Sequence, residues 1–340
     1  MGYSKGDVMI KDADRPIFIV GMNGSGTTML ADCLNNHPDI YIHKVESRVI
    51  PYYAQKIDQY GDLGGEKVFR ALVNEFSNNY AFRAVNHSKS LDIPYDYRSI
   101  KQPTLATAIQ LTFSYFAQIE DKVRWGDHSP KYALFIPEIL DLFPKAKFIH
   151  IYRDGRDCAQ SFRNRFRQNI YRAIQEWKTM INKARTDGAR AGDTHYHEIR
   201  YESLTNDPTR YMKAICSFLD VPYNKRVLDS RMPMFKEKNG QSSGQGQGTL
   251  VQNYGKWRKV FTPREIRKLE GIAGMTLRNM GYEILYNSGN RDLSDGQLKL
   301  LKAIDRVNAS IAFFSRYKDE DRWGTFLRSI RTSLRQGRAR

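Results

Sequence analysis

The chain has 340 residues, 41% of them hydrophobic, and a formal net charge of +17. That length can bury a full core without disulfides, and three widely spaced cysteines (Cys33, Cys158 and Cys216) argue against a disulfide framework or a CxxC metal knuckle. No apolar run reaches the length of a membrane span and the N-terminus lacks a signal-peptide block, so the expectation is a cytoplasmic protein in a reducing compartment.

The positive charge is clustered. Lys145 to Arg172 holds eight basic and two acidic residues, and Arg322 to Arg340 holds six arginines and no acid. Such clusters favour phosphorylated or sulfated ligands, membranes or nucleic acid. No zinc finger, aromatic RNA-binding signature or helix-turn-helix pattern accompanies them, so no specific nucleic acid is expected.

In chain order, Ile17–Gly21 (IFIVG) reads as a buried strand, followed by a glycine turn and a helix over Thr27–Asn36. Val49 to Phe116 alternates helical patterns with polar loops. Lys122–Trp125 is a short strand candidate, Tyr132–Phe143 a helix stopped by Pro144, and Lys147–Tyr152 (KFIHIY) a second buried strand. Asp154–Arg167 and Ile170–Arg190 read as helices, His195–Ile199 as a strand, Thr209–Leu219 as a helix. Asn239–Gly248 is a Gly/Ser/Gln-rich loop, and Pro263–Met280 a helix capped by Thr262. Strands alternating with helices predict an α/β fold, a central, mostly parallel sheet flanked by helices in three layers. The expected division is a domain over 15–285 and a basic helical extension over 286–340.

The segment GMNGSGTT, from Gly21 to Thr28, nearly matches the phosphate-loop pattern GxxxxGK[ST] between a strand and a helix. Its amides, the helix N-terminus and the hydroxyls of Thr27 and Thr28 can cradle phosphate. Thr27 replaces the lysine that a nucleoside triphosphatase uses with Mg²⁺, which argues against a kinase or NTPase, the alternative enzyme class. Arg153 ends the KFIHIY strand and Ser161 lies eight residues on. Ligands of such sheets bind at the carboxyl ends of the strands, so this pair makes a second anion site. The bland alternative is an Arg153 pair with Asp154 or Asp157 and an ordinary helical serine.

Together these segments resemble the sulfotransferases that use 3′-phosphoadenosine 5′-phosphosulfate (PAPS). The loop NGSGTT (23–28) is similar to the family's 5′-phosphosulfate loop, and FIHIYRDGRDCAQS (148–161) to its 3′-phosphate site. WGDHSP (125–130), IRYE (199–202) and YGKWR (254–258) resemble further family segments in order. The stretch from His37 to Pro51 is similar to the protein-tyrosine branch, where a glutamate before Thr-Arg is the base; Glu46 falls there.

The resemblance implies PAPS as donor, adenosine 3′,5′-bisphosphate (PAP) as product, and no metal. Gly24, Ser25, Gly26, Thr27 and Thr28 would hold the phosphosulfate, Arg153 and Ser161 the 3′-phosphate, and Tyr201, Lys256 and Trp257 the adenosine or phosphate side. Glu46 or His128 would be the base toward an acceptor hydroxyl or amine of a glycan, peptide tyrosine, lipid or small phenol. Two basic residues of the family pattern are absent: Gly24 stands before Ser-Gly, and His128 in the Lys-Thr-Pro segment. Lys44, Arg48 or Lys131 could substitute, His128 could take an acid/base role, or the chain could be a weakened nucleotide-binding protein. Finally, Trp323, Phe326, Leu327, Ile330 and Leu334 recur at helical spacing. They read as a packed terminal helix or as an amphipathic basic helix for peripheral docking on an anionic membrane.

Overall fold

Five short segments form the strands among the described residues, the apolar runs β1 (Ile17–Gly21), β2 (Ile40–Ile42) and β4 (Lys147–Tyr152) and the more polar β3 (Arg124–Asp127) and β5 (Tyr196–Arg200). The structure is a computed structural model that describes residues 14–86, 90–229, 253–286 and 289–316, with side chains as far as residue 308. The strands make one sheet in the order β2-β3-β1-β4-β5, and every pairing is parallel. Parallel strands are covered on both faces, which is why β1 reads as an unbroken apolar run. Its residues from Ile17 to Val20 are fully buried. Aromatic stacking fills the layer beside them: Phe18 lies 5.3 Å from Phe148, and Phe113 lies 4.5 Å from Trp125, centroid to centroid. This is the α/β architecture expected from the alternating pattern.

The elements fall close to their expected places, with instructive departures. The first helix spans Thr27–Asn35, and the helices after β4 span Gly155–Phe166 and Ile170–Ala191. The expected helix over Tyr132–Phe143 is two pieces, a 3₁₀ turn over Pro130–Leu134 and a helix over Ile136–Leu142. Pro137 explains the break, because it lacks the N–H that a continuous helix would use and its ring crowds the preceding turn. Strand β3 begins at Arg124, two residues later than expected, because the Lys122 amide closes the preceding helix on the carbonyl of Ala117. The helices Pro208–Phe218 and Pro263–Asn279 match their expected spans, and Thr262 and Glu265 form a reciprocal capping box. Strand β2, three residues long, was not expected from the sequence.

Two compact units are present. The first comprises Met1–Cys158 and Glu176–Lys259 and contains the sheet; the second comprises Ala159–Gln175 and Val260–Arg340. Within the second unit Asp305 accepts from the Asn169 amide at 2.7 Å and from Arg172 Nε at 2.6 Å. A pocket of about 260 Å³ there is lined by Arg163, Arg167, Tyr171 and Glu265, among others. A helix spans Asp295–Arg316. The Asn239–Gly248 loop and the Trp323–Leu334 stripe lie outside the described residues. Among the described residues no helix is long and apolar enough to cross a membrane.

Candidate functional site

Because all five strands run the same way, their carboxyl ends lie along one edge of the sheet. Each end leads into a segment that sequence reading singled out: 22–28 after β1, Glu46 after β2, His128 after β3, Arg153 after β4 and Tyr201 after β5. The pairing of Gly21 with Ile151 sets the glycine loop beside the end of β4.

The loop is shaped by close approach. A Cβ on Gly26, whose φ is +106°, would lie 2.6 Å from the Tyr201 ring. Only glycine combines that left-handed backbone with that contact. Gly26 is also the N-cap of the helix Thr27–Asn35, and no side chain caps that end and no acid lies in the first turn. The orphan amides and the dipole therefore keep their positive character for an anion. Thr28 is exposed, whereas Thr27 is 3% exposed and points its bulk inward. Ser25 is fully buried, and its Oγ has no hydrogen-bond partner among the described residues.

Arg153 closes the loop from the β4 side. Its Nη1 donates to the Gly24 carbonyl at 3.0 Å, and its Nη2 donates to the Asn253 carbonyl. Its guanidinium lies 4.8 Å above the Tyr201 ring and 3.8 Å from the Asp157 carboxylate. Its Nε is buried and has no hydrogen-bond partner among the described residues. A buried donor left unmatched is costly, so Arg153 Nε and Ser25 Oγ have spare capacity that a phosphate or sulfate oxygen can fill. Loop, uncapped helix end and arginine together fit a nucleotide carrying phosphate groups. Burial raises the Tyr201 phenol and the Asp157 carboxyl, both opposed by Arg153.

The β2 and β3 ends are built differently. Arg48 donates from Nε to Glu46 Oε2 at 2.6 Å, and its Nη2 bridges to the same oxygen. The backbone around them is bolted to β3: Ser47 donates its amide to Asp127 Oδ1 at 3.4 Å and its hydroxyl to Asp127 Oδ2. The Arg48 amide donates to Ser129 Oγ at 3.0 Å. Arg48 takes a left-handed φ of +57°. Asp127 is fully buried, and desolvation pushes its carboxyl above the usual carboxylate range despite bonds from Ser47 and Ser129.

His128 is 4% exposed, and its Nδ1 donates to the His43 carbonyl at 2.8 Å. In the neutral ring Nε2 is then the basic nitrogen. The cations that could replace the missing basic groups are all engaged: Lys44 with Glu120, Arg48 with Glu46, and Lys131 with Glu176 at 3.7 Å.

Lys256 is exposed and Trp257 is 1% exposed, with Arg156 stacked 3.7 Å over the indole. Trp257 therefore anchors its segment to the protein rather than offering an open face. Ser161 is half-buried on the helix Gly155–Phe166 and belongs to the second unit. Sequence reading missed the partners that hold these residues. Asp127 secures the Glu46 segment, and Asp157 secures residues 255–257. Asp32, on the loop helix, has a buried Oδ2 without a partner among the described residues; burial raises its carboxyl and His128 opposes that rise. An acid four residues after Thr28, on the same helix face, was the available signal. Among the described residues no cluster of three His, Cys, Asp or Glu side chains could hold a metal ion.

Comparison with known proteins gives the lineage. The sequence profile described as "Sulfotransferase family" matches residues 16–225. A protein-tyrosine sulfotransferase of Drosophila melanogaster is 28% identical over 219 residues, which span 62% of this chain and 39% of that protein. Protein-tyrosine sulfotransferase 1 of Danio rerio is 28% identical over 337 residues, covering 91% of this chain and 85% of the other. Among solved structures, the sulfotransferase domain from the curacin biosynthetic pathway superposes with a TM-score of 0.51 at 21% identity, covering 80% of this chain and 99% of that one. That superposition speaks to the fold; the profile match, over more than half the chain, speaks to ancestry. The chain belongs to the sulfotransferase family.

Proposed function

We propose that this protein transfers a sulfuryl group from PAPS to an acceptor hydroxyl or amine. The observation that carries the reading is the bond from Arg153 to the Gly24 carbonyl, which sets an arginine against a phosphate-type loop with spare donors on both. PAPS would supply the sulfuryl group and leave as PAP. Residues 24–28 bind and orient the phosphosulfate, and loop amides and the Thr28 hydroxyl stabilise charge developing on the leaving oxygen. Arg153 takes the 3′-phosphate, while Tyr201 and Lys256 flank the nucleotide. Glu46 removes the acceptor's proton. Arg48 holds Oε2, so Oε1 is the oxygen left to take it. A positioned base of this kind contributes about 10²–10⁴ in rate.

Among acceptors (peptide tyrosine, glycan, lipid headgroup, small phenol) peptide tyrosine comes first, supported by the relatives' names and by Glu46 at the branch's glutamate position. A second reading, a nucleotide-binding protein with weakened catalysis, draws on the pairing of Lys44, Arg48 and Lys131 with carboxylates. Calorimetry with PAP, ATP and single-stranded DNA tests the donor: PAP is expected to bind far more tightly than the others, and preference for ATP would favour a kinase. Labelled PAPS offered to each acceptor class tests turnover. Binding without transfer to any of them would favour the second reading.

A further inference from the structure

The head of the helix Gly155–Phe166 grips a segment a hundred residues away at three points. Arg153 Nη2 donates to the Asn253 carbonyl, Arg156 stacks on buried Trp257, and Asp157 accepts from two amides. The amides are those of Gly255, at 2.6 Å, and Trp257, at 3.1 Å. An acid in a first helical turn ordinarily serves its own helix's amides. Here it reaches across to two amides spaced one residue apart, which the left-handed Gly255, φ +72°, lets converge. Converging amides of this kind form a concavity that binds anions. In this protein the carboxylate of Asp157, whose side chain is fully buried, already sits in it.

We propose that Asp157 is a positioning residue for the donor's 3′-phosphate: by filling the backbone anion nest of residues 255–257 it fixes Lys256 as the group that segment offers to the nucleotide. The proposal rests on the sulfuryl-transfer reading above. Lys256 lies between the two clasped amides and is the exposed residue of the three. The segment therefore contributes a side-chain charge to the ligand, and its Gly255 and Trp257 amides do not contact it. Arg153, 3.8 Å from Asp157, balances the buried carboxylate and joins the clasp to the glycine loop through Gly24.

Hydrogen exchange on the full-length wild-type protein tests the nest without any variant. The Gly255 and Trp257 amides should be protected without ligand and gain little when PAP is added. Amides that become protected only with PAP would assign the nest to phosphate and overturn the proposal. Calorimetry with PAP then tests the link to Lys256. Asp157→Asn and Lys256→Ala should each weaken binding about tenfold, the scale of one hydrogen bond to a charged group, and the double variant should be no weaker than Lys256→Ala alone. Losses that multiply in the double variant, or an Asp157→Asn protein that binds PAP as well as or better than wild type, would overturn it. PAP binding by wild type is the control: its failure counts against the donor reading and the proposal together, whereas wild-type binding with Asp157→Asn unaffected counts against the proposal alone.

Discussion

The two halves of the sheet's working edge are built on opposite principles. Around β1 and β4, polar groups are left unmatched among the described residues: Ser25 Oγ and Arg153 Nε have no hydrogen-bond partner, and no side chain caps the loop helix. Around β2 and β3, charges and polar groups are matched. Glu46 is held by Arg48, Lys44 by Glu120, and Ser47 by Asp127. An anion gains most where donors are unspent and gains little where each cation already has a carboxylate. The first half is therefore suited to binding the donor and the second to holding one proton acceptor in a fixed place.

The sharpest way to separate the halves is to break one without the other. Glu46→Gln keeps the size of the side chain and cannot take a proton. Turnover should fall by about 10²–10⁴ while calorimetric PAP affinity stays at the wild-type value. If turnover survives and His128→Ala abolishes it, the base belongs to His128, through Nε2. The reciprocal break is Arg153→Ala. It removes the bond to Gly24 and the charge beside the loop, and PAP affinity should drop by about 1.5–3 kcal/mol, the range for hydrogen bonds to charged groups. An unchanged dissociation constant would remove the 3′-phosphate from this site.

A smaller effect probes how the second half is held. Asp127 has its carboxyl raised by burial above the ordinary value of 3.8. Between that value and its raised folded value the native state holds a proton that the unfolded chain has released. Linkage then makes this group's contribution to stability fall as pH rises through the window. Asp127→Asn removes the titration, so the difference in unfolding free energy between wild type and variant should shift in the variant's favour as pH rises from about 4. A difference that stays flat with pH would mean that Asp127 does not titrate in that range.

The sequence announces the donor half and conceals the supports of the other. The glycine loop and Arg153 are legible because binding phosphate through backbone amides demands glycines at fixed spacing between a strand and a helix. Glu46 was found only through family resemblance, since one acid before Ser-Arg carries no local signal. Strand β2 escaped notice because Ile40–Ile42 is too short to show a period. The anchoring roles of Asp127 and Asp157 were invisible for a different reason. Ser47 lies 80 residues from Asp127 and Gly255 lies 98 from Asp157, and no spacing rule connects them, whereas the pairing of Asp157 with Arg153, four residues away, was legible. Trp257 was assigned to the nucleotide by resemblance, and its burial under Arg156 makes it an anchor for the Lys256 segment.

The smallest expected effect tests whether the Glu46 segment is fixed by its backbone or by its ion pair. Arg48 has a left-handed φ of +57°, and its side chain is 63% exposed in the pair with Glu46. An exposed pair of this kind is worth only about 0.2–1 kcal/mol. The left-handed conformation costs a non-glycine residue about 1–2 kcal/mol, a cost met here by the amide bonds to Asp127 and Ser129. Arg48→Ala loses the pair and keeps the backbone cost, whereas Arg48→Gly loses the pair and escapes that cost. Denaturant unfolding should therefore place the glycine variant about 1 kcal/mol above the alanine variant, and close to wild type. If the two variants unfold at the same free energy, the backbone at residue 48 is not held left-handed. The Asp127–Ser129 anchor would then not be what keeps Glu46 in place, and the ion pair with Arg48 would become its main restraint.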